Sequence, residues 1–208
     1  RPKRTQTVLK DLNVSFPIGK LTAIVGRSGC GKSTLLRLLN GQDQPDEGNI
    51  AMPEGWHSAI LTPEPYVITW TSVLRNVALA AGAGRTPEER MQLAERLVQL
   101  VRLDDYADLT PMELSTGMKQ RLGLARVLAS QAQLLLMDEL GAMESQAHAF
   151  CHAVLSALDG ETPILGVLAK ADSPFLQQIA NHEAVEVVEI TKENRDTLPA
   201  LLREQFHF

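Results

Sequence analysis

The stretch "LTAIVGRSGCGKSTLLRLLNG", residues 21–41, decides the fold, because an apolar run, a glycine-rich loop and a helix-forming segment follow one another in it. Residues 26–33 fit the pattern G-x-x-x-x-G-K-[ST], which binds phosphate groups when it lies between a strand and a helix. Its glycines let the backbone curl, so that successive N–H groups point inward near a helix N-terminus. The stretch therefore predicts a phosphate-binding loop.

Each residue of this loop is expected to contact a nucleotide. Lys32 would reach the β- and γ-phosphates, and the hydroxyl of Ser33 would hold Mg²⁺. The other residues expected around the phosphates are Gly26, Arg27, Ser28, Gly29, Cys30, Gly31 and Thr34. The alternative is a glycine-rich turn ahead of an amphipathic helix, which the flanking strand and helix patterns disfavour.

Composition limits what such a loop can serve. The chain has 208 residues, 44% of them hydrophobic, which suffices for one good core. Twenty basic and 25 acidic residues give a net charge of -5 without a long basic block, so nucleic acid is disfavoured as a partner. No apolar run reaches the roughly eighteen residues of a spanning helix, and no signal-peptide pattern opens the sequence. We expect a soluble, intracellular globular domain.

Strand-like segments alternate with helical patterns, which predicts an α/β fold with a largely parallel sheet. The predicted strands are residues 7–16, 21–25, 58–61, 133–137, 164–168 and 185–190. The predicted helices are residues 33–39, 73–81, 88–102, 116–129 and 145–158. One helix start is well specified, since Thr86 can cap it, Pro87 suits the first turn and Glu89 can complete a capping box.

An acidic pair follows a second apolar run, in "AQLLLMDELGA". The run ends in Asp138 and Glu139, as expected of a buried parallel strand that ends at the ligand-binding edge of its sheet. Asp138 would bind Mg²⁺ through water, and Glu139 would polarise the attacking water as the catalytic base. The alternative is a solvated strand end, which the phosphate loop upstream disfavours.

The segment "MELSTGMKQRLGLARVLASQAQLLLMDE" resembles the signature segment of ATP-binding cassette ATPases. Residues 114–118 stand in the place of the L-S-G-G-Q pentapeptide. Ser115 would cap a helix whose free N–H groups can bind an anion. By resemblance, this anion is the γ-phosphate on the opposite subunit's loop, with Ser115 and Gly117 as its contacts. The alternative is an ordinary capped helix. It accounts for this helix but not for the occurrence of the phosphate loop, the signature segment and the acidic pair in the order that the family shows.

The resemblance extends over most of the chain, and two segments point to one subgroup of the family. "EPYVITWTSVLRNVAL" and "LSTGMKQR" are similar to the corresponding segments of importers of the nitrate, sulfonate and taurine kind. The resemblance implies a P-loop fold with an N-terminal antiparallel β portion. One ATP-binding domain over residues 1–208 would have its core at 1–71 and 130–208 and a helical subdomain at about 72–129. It also implies a homodimer or pseudo-dimer that binds ATP and Mg²⁺ on a membrane permease, at the inner face of the cell membrane.

Three departures from the family pattern bear on nucleotide binding and turnover. The glutamine expected near Pro63 is missing, and the switch histidine falls on Ala171. Lys170, beside it, is expected to substitute in part, because its ammonium can reach a phosphate. The aromatic residue that stacks on adenine should precede Val8, but residues 1–7 contain none, so that Arg4 or an upstream segment would have to serve.

The C-terminal third shows a second resemblance. "DELGAME" followed by "ITKENRDTLP" is similar to small prokaryotic P-loop nucleoside triphosphatases, which lack the signature helix. Three functions therefore stay open at this point. They are a transporter ATPase, a regulatory module with weak or no turnover, and a stand-alone nucleoside triphosphatase.

Overall fold

A parallel sheet of five strands organises the part of the chain that the computed structural model describes, which is residues 7–10, 12, 21–26, 29–82, 84–140, 164–168, 174–181 and 185–190. The strands are β1 (Leu21–Gly26), β2 (Ser58–Leu61), β3 (Leu134–Leu140), β4 (Ile164–Leu168) and β5 (Val185–Ile190). Their order is β2-β3-β4-β1-β5, and every pair in it is parallel. The carboxyl ends of β1 and β3 therefore meet at one edge of the sheet, with β4 between them.

Helices fill the described connections between these strands. They are α1 (Lys32–Leu39), α2 (Val73–Ala80), α3 (Pro87–Leu100), α4 (Thr116–Ala129) and α5 (Pro174–Ala180), with short 3₁₀ turns at Asp104–Tyr106 and Pro111–Glu113. The start of α3 is the predicted capping box: the N–H of Glu89 donates to Thr86 Oγ1 at 3.2 Å, and the N–H of Thr86 donates to Glu89 Oε2 at 2.7 Å.

Two apolar layers cover the two faces of the sheet. Alternation along β3 sends Leu135 and Met137 to one face and Leu136 to the other. The first face packs against α2, α3, α4 and α5, and the second packs against α1. Since one continuous apolar cluster joins the sheet to the helices between β2 and β3, the division into a core and a helical subdomain stays a prediction.

The sequence places most elements correctly, with a few errors. The bounds of β2, β4, β5 and α4 are as predicted. The other predicted elements within the described residues differ by one or two residues at an end, except that β3 continues three residues beyond its predicted end, to Leu140. For example, α3 ends before Arg102, whose φ of 54° is left-handed.

The strand predicted over 7–16 is wrong at residues 7–10, which are not extended in a sheet, and most of its remainder lies outside the described residues. The antiparallel β portion predicted there is likewise absent from the described part. No sequence pattern predicted α5, although it opens at Pro174, a residue favoured in a first turn. The helix predicted over 145–158 lies outside the described residues.

Candidate functional site

The described part of the glycine-rich loop, residues 29–33, has the conformation that its sequence predicts. Gly29 and Gly31 have φ values of 77° and 105°, in the left-handed region that favours glycine. Gly31 is also crowded, because a Cβ there would lie 2.9 Å from Cδ2 of Leu9 and 3.3 Å from Cγ1 of Val8. A side chain at Gly31 would therefore displace these residues as well as strain the backbone.

The loop leads directly into α1, which supplies a helix N-terminus. Gly31 is the N-cap and has no side chain to satisfy the first N–H groups, and the first turn contains no acidic residue. Both features leave the positive end of the helix available to an anion. Cys30 is buried in the apolar layer under α1, and Nζ of Lys32 lies 3.8 Å from its Sγ. The loop is thus anchored below, with the ammonium of Lys32 folded back toward it.

A direct hydrogen bond joins the two predicted metal-binding residues. The hydroxyl of Ser33 donates to Oδ1 of Asp138 at 2.8 Å, although the two residues are 105 positions apart in the sequence. Both side chains are half-buried at the carboxyl edge of the sheet. A hydroxyl and a carboxylate are the hard oxygen ligands that Mg²⁺ prefers, so this pair fits the ion. When bound there, Mg²⁺ would neutralise charge on the phosphate oxygens.

The end of β3 is irregular at the acidic pair. Met137 pairs with Gly166 and Leu140 pairs with Leu168, so that three residue steps along β3 correspond to two along β4. This extra residue makes a β-bulge at Asp138 and Glu139, a device that re-aims side chains beside active sites. The backbone of Glu139 is thereby placed next to Asp138 at the ligand edge, while its side chain lies outside what the structure describes. The catalytic role of Glu139 stays a prediction.

The signature segment forms a second helix N-terminus. Ser115 is the N-cap of α4, and its Oγ accepts the N–H of Met118 at 3.3 Å. Ser115 is exposed, and a Cβ at Gly117 would meet no atom within 4 Å. The surface at the start of α4 is therefore open to a group from outside the chain.

The remaining predicted residues divide between described and undescribed positions. Gly26 ends β1, and Thr34 lies half-buried in the first turn of α1. Arg27, Ser28 and Lys170 lie outside the described residues, as does Ala171. The structure thus places Ser33 and Asp138 in contact, and it places Gly29, Cys30, Gly31 and Lys32 on the loop beside them.

Comparison with known proteins decides the family. A family model described as ABC transporter matches residues 9–142, which include the loop, the signature helix and the acidic pair. The chain belongs to the ABC transporter family. Members of this family use ATP with Mg²⁺, in agreement with the loop and with the contact between Ser33 and Asp138.

Curated relatives agree with this assignment. The aliphatic sulfonates import ATP-binding protein of Rhodopseudomonas palustris is 35% identical over 95% of this chain and 71% of its own length. One from Pseudomonas syringae is 38% identical, over 76% of this chain and 59% of its own. The sulfate/thiosulfate import ATP-binding protein of Vibrio vulnificus is 34% identical, over 86% and 56%. The ABC domain thus spans less than two thirds of the length of two of these three relatives.

Solved structures share the fold. A dimeric bacterial ABC transporter cassette superposes with a TM-score of 0.70 at 22% identity, covering 91% of this chain and 89% of its own. A dimeric cassette in a post-hydrolysis state, bound to ADP and Pi, gives 0.69, also at 22% identity, covering 89% of each chain. A second family model, described as NTPase, matches residues 87–202, in agreement with the resemblance of the C-terminal third.

Two features of the site escaped the sequence analysis. The bulge in β3 leaves no signal in the letters "MDEL", because it depends on pairing with β4. The loop that replaces the missing glutamine is held by its own turn, in which Thr62 Oγ1 donates to the carbonyl of Glu64 at 2.7 Å. The run "TPEP" could have signalled this, because two prolines fix the backbone around one residue.

Proposed function

We propose that the ABC domain hydrolyses ATP to drive import through a membrane permease, as one half of a dimer that encloses two ATP molecules between its subunits. The observation that supports this most directly is the start of α4, where Ser115 is exposed and the space around Gly117 is open. A helix N-terminus binds an anion through its N–H groups and its dipole. The phosphate of a partner's nucleotide is such an anion.

The permease is proposed from the names of the relatives and from large apolar side chains that are exposed on the surface. The relatives are named as import ATP-binding proteins for sulfonates and for sulfate or thiosulfate. Tyr66 and Trp70 are 71% and 84% exposed, and Leu79 on α2 is 61% exposed. Large aromatic side chains of this kind are the usual anchors of protein interfaces. We assign them to a cytoplasmic segment of the permease.

The location follows from the same proposal. None of the helices in the described ranges is both long and apolar enough to cross a membrane. In the proposed assembly, the permease would hold the domain at the inner face of the cell membrane. We expect the same dimer whether the second ATPase is another copy of this chain or a related one.

Gly117→Leu tests the dimer that encloses ATP between its subunits, which is called the sandwich from here on. We expect it to leave ATP binding to the monomer within about threefold of the parent and to abolish ATP-driven dimerisation, because its own chain has room for the side chain while the partner's phosphate has none. Calorimetry measures the binding, and size exclusion with Mg-ATP measures the dimer.

Gln92→Leu is the matched control, since it adds the same apolar side chain at an exposed position of α3. It should dimerise like the parent. Equal losses of binding and dimerisation in Gly117→Leu would contradict an action across subunits.

Slow turnover is the second expectation. Without a glutamine near Pro63 and a histidine at Ala171, the domain should release phosphate well below about ten per second, the middle of the range for enzymes. Each missing group would have stabilised charge in a dry site by a few kcal/mol. Lys170→Ala should lower the rate further, because the ammonium would otherwise favour the developing charge. A parental rate near that typical value, or an unchanged rate in Lys170→Ala, would contradict this.

A stand-alone nucleoside triphosphatase is the second candidate, since the NTPase model matches residues 87–202. It requires hydrolysis by the monomer. If the rate per chain stays constant when the protein is diluted below its dimerisation range, this candidate replaces the sandwich. If the rate falls with dilution, the sandwich is supported.

A further inference from the structure

The segment between β2 and α2, residues 62–72, is called the connector here. It begins with Thr62, whose hydroxyl donates to the carbonyl of Glu64, and Pro63 and Pro65 restrict the backbone on either side. The connector also contains Tyr66 and Trp70, the exposed aromatic residues. What fixes the connector therefore fixes the backbone that carries these two side chains.

The first fixed point is Gly123 of α4. A Cβ at this glycine would lie 2.3 Å from Cβ of Pro65 and 3.1 Å from its Cγ, and also 3.1 Å from Cδ1 of Leu61. No real side chain tolerates the first distance, so Pro65 can lie this close to α4 only because residue 123 is glycine. The glycine has no left-handed φ to account for it. Glycine is needed at position 123 so that Pro65 can approach α4 closely.

The second fixed point is Asn76 of α2, which is fully buried. Its Oδ1 accepts the N–H of Ile68 at 2.8 Å, and its Nδ2 donates to the carbonyls of Ile68 and Thr71 at 2.9 and 3.2 Å. Nη1 of Arg126 donates to the backbone carbonyl and to Oδ1 of Asn76 at 2.7 and 3.2 Å. The connector is thus bound to Asn76, and Asn76 is bound to α4.

Arg126 keeps its charge in this position. Burial lowers the pKa of its guanidinium, but the ordinary value of arginine lies so far above neutrality that the group stays protonated. Hydrogen bonds from a charged donor are stronger than neutral ones. Arg126 is therefore a firm attachment between α2 and α4.

Gly123 and Arg126 lie three residues apart on α4 and share one face of it. We infer that these are positioning residues that hold the connector, and with it the backbone of Tyr66 and Trp70, on the signature helix. The role of Tyr66 and Trp70 as permease anchors rests on the proposed function. The attachment itself does not.

The attachment predicts that the effect of Gly123→Ala on the melting temperature changes sign when Pro65 is also replaced. In a helix, Gly→Ala normally stabilises. Here Gly123→Ala should instead lower the melting temperature by about 5 °C, because overpacking outweighs propensity. In a Pro65→Gly background, where both atoms of Pro65 are gone, the same change should raise it. Gly117→Ala is the stability control on the same helix, since its Cβ would meet no atom within 4 Å.

A second measurement follows the connector itself. The sequence has two tryptophans, and Trp56→Phe removes one of them and leaves Trp70. In that background Arg126→Lys should lower the fluorescence anisotropy of Trp70 and speed amide exchange at Ile68 about tenfold. Arg121→Lys is the matched control on α4, because Arg121 donates to the carbonyls of Val101 and Arg102 instead of the connector. Equal effects of the two variants, or stabilisation by Gly123→Ala in the parent, would overturn the attachment.

Discussion

Lys32→Ala is expected to lower the affinity for ATP about a hundredfold and to leave the fold intact. The ammonium lies over the loop, 3.8 Å from Sγ of Cys30, on a half-buried residue at the start of α1. Its charge-assisted hydrogen bonds to the β- and γ-phosphates would be lost, and each such bond is worth about 1.5–3 kcal/mol. Calorimetry with Mg-ATP measures the affinity, and circular dichroism measures the fold.

Arg96→Ala is the control for this variant, because it removes one positive charge from an exposed position of α3. It should bind ATP like the parent. An unchanged affinity in Lys32→Ala would mean that this loop does not bind the phosphates. An unfolded variant would place Lys32 in the structural framework instead, and Lys32→Met, which keeps the aliphatic stem, would then fold and still fail to bind.

Glu139→Gln is expected to slow turnover about a thousandfold while Mg-ATP binding is retained. The amide can hydrogen-bond the attacking water but cannot accept its proton. Asp138 and Ser33 are unchanged in this variant, so the fitted site for Mg²⁺ persists. Because hydrolysis would reopen the pair, the variant should also accumulate as an ATP-bound dimer in size exclusion.

The matched control is Glu95→Gln, the same change at an exposed position of α3. Its steady-state phosphate release and its elution should equal those of the parent. If Glu139→Gln hydrolysed ATP as fast as the parent, another group would be the base. If turnover fell but no dimer accumulated with ATP, the sandwich would lose its support while Glu139 kept its role.

The sequence alone determined the phosphate loop, the signature helix and most of the sheet, because these depend on local rules. Positive φ at Gly29 and Gly31, the cap at Ser115 and the capping box at Thr86 each follow from residues a few positions apart. Apolar runs followed by the phosphate loop and by the acidic pair placed β1 and β3 with their carboxyl ends at one edge. Local preference and the global fold agree at these places.

Only the tertiary structure decided how distant segments meet. The bond from Ser33 to Asp138 spans 105 residues, and it forms because β4 separates β1 from β3 at a fixed spacing in the sheet. The bulge at Asp138 and Glu139 exists only against the register of β4. The need for glycine at position 123 comes from Pro65, which belongs to another element. Sequence patterns describe a helix or strand with its near neighbours, whereas close packing between elements is set by the path of the whole chain.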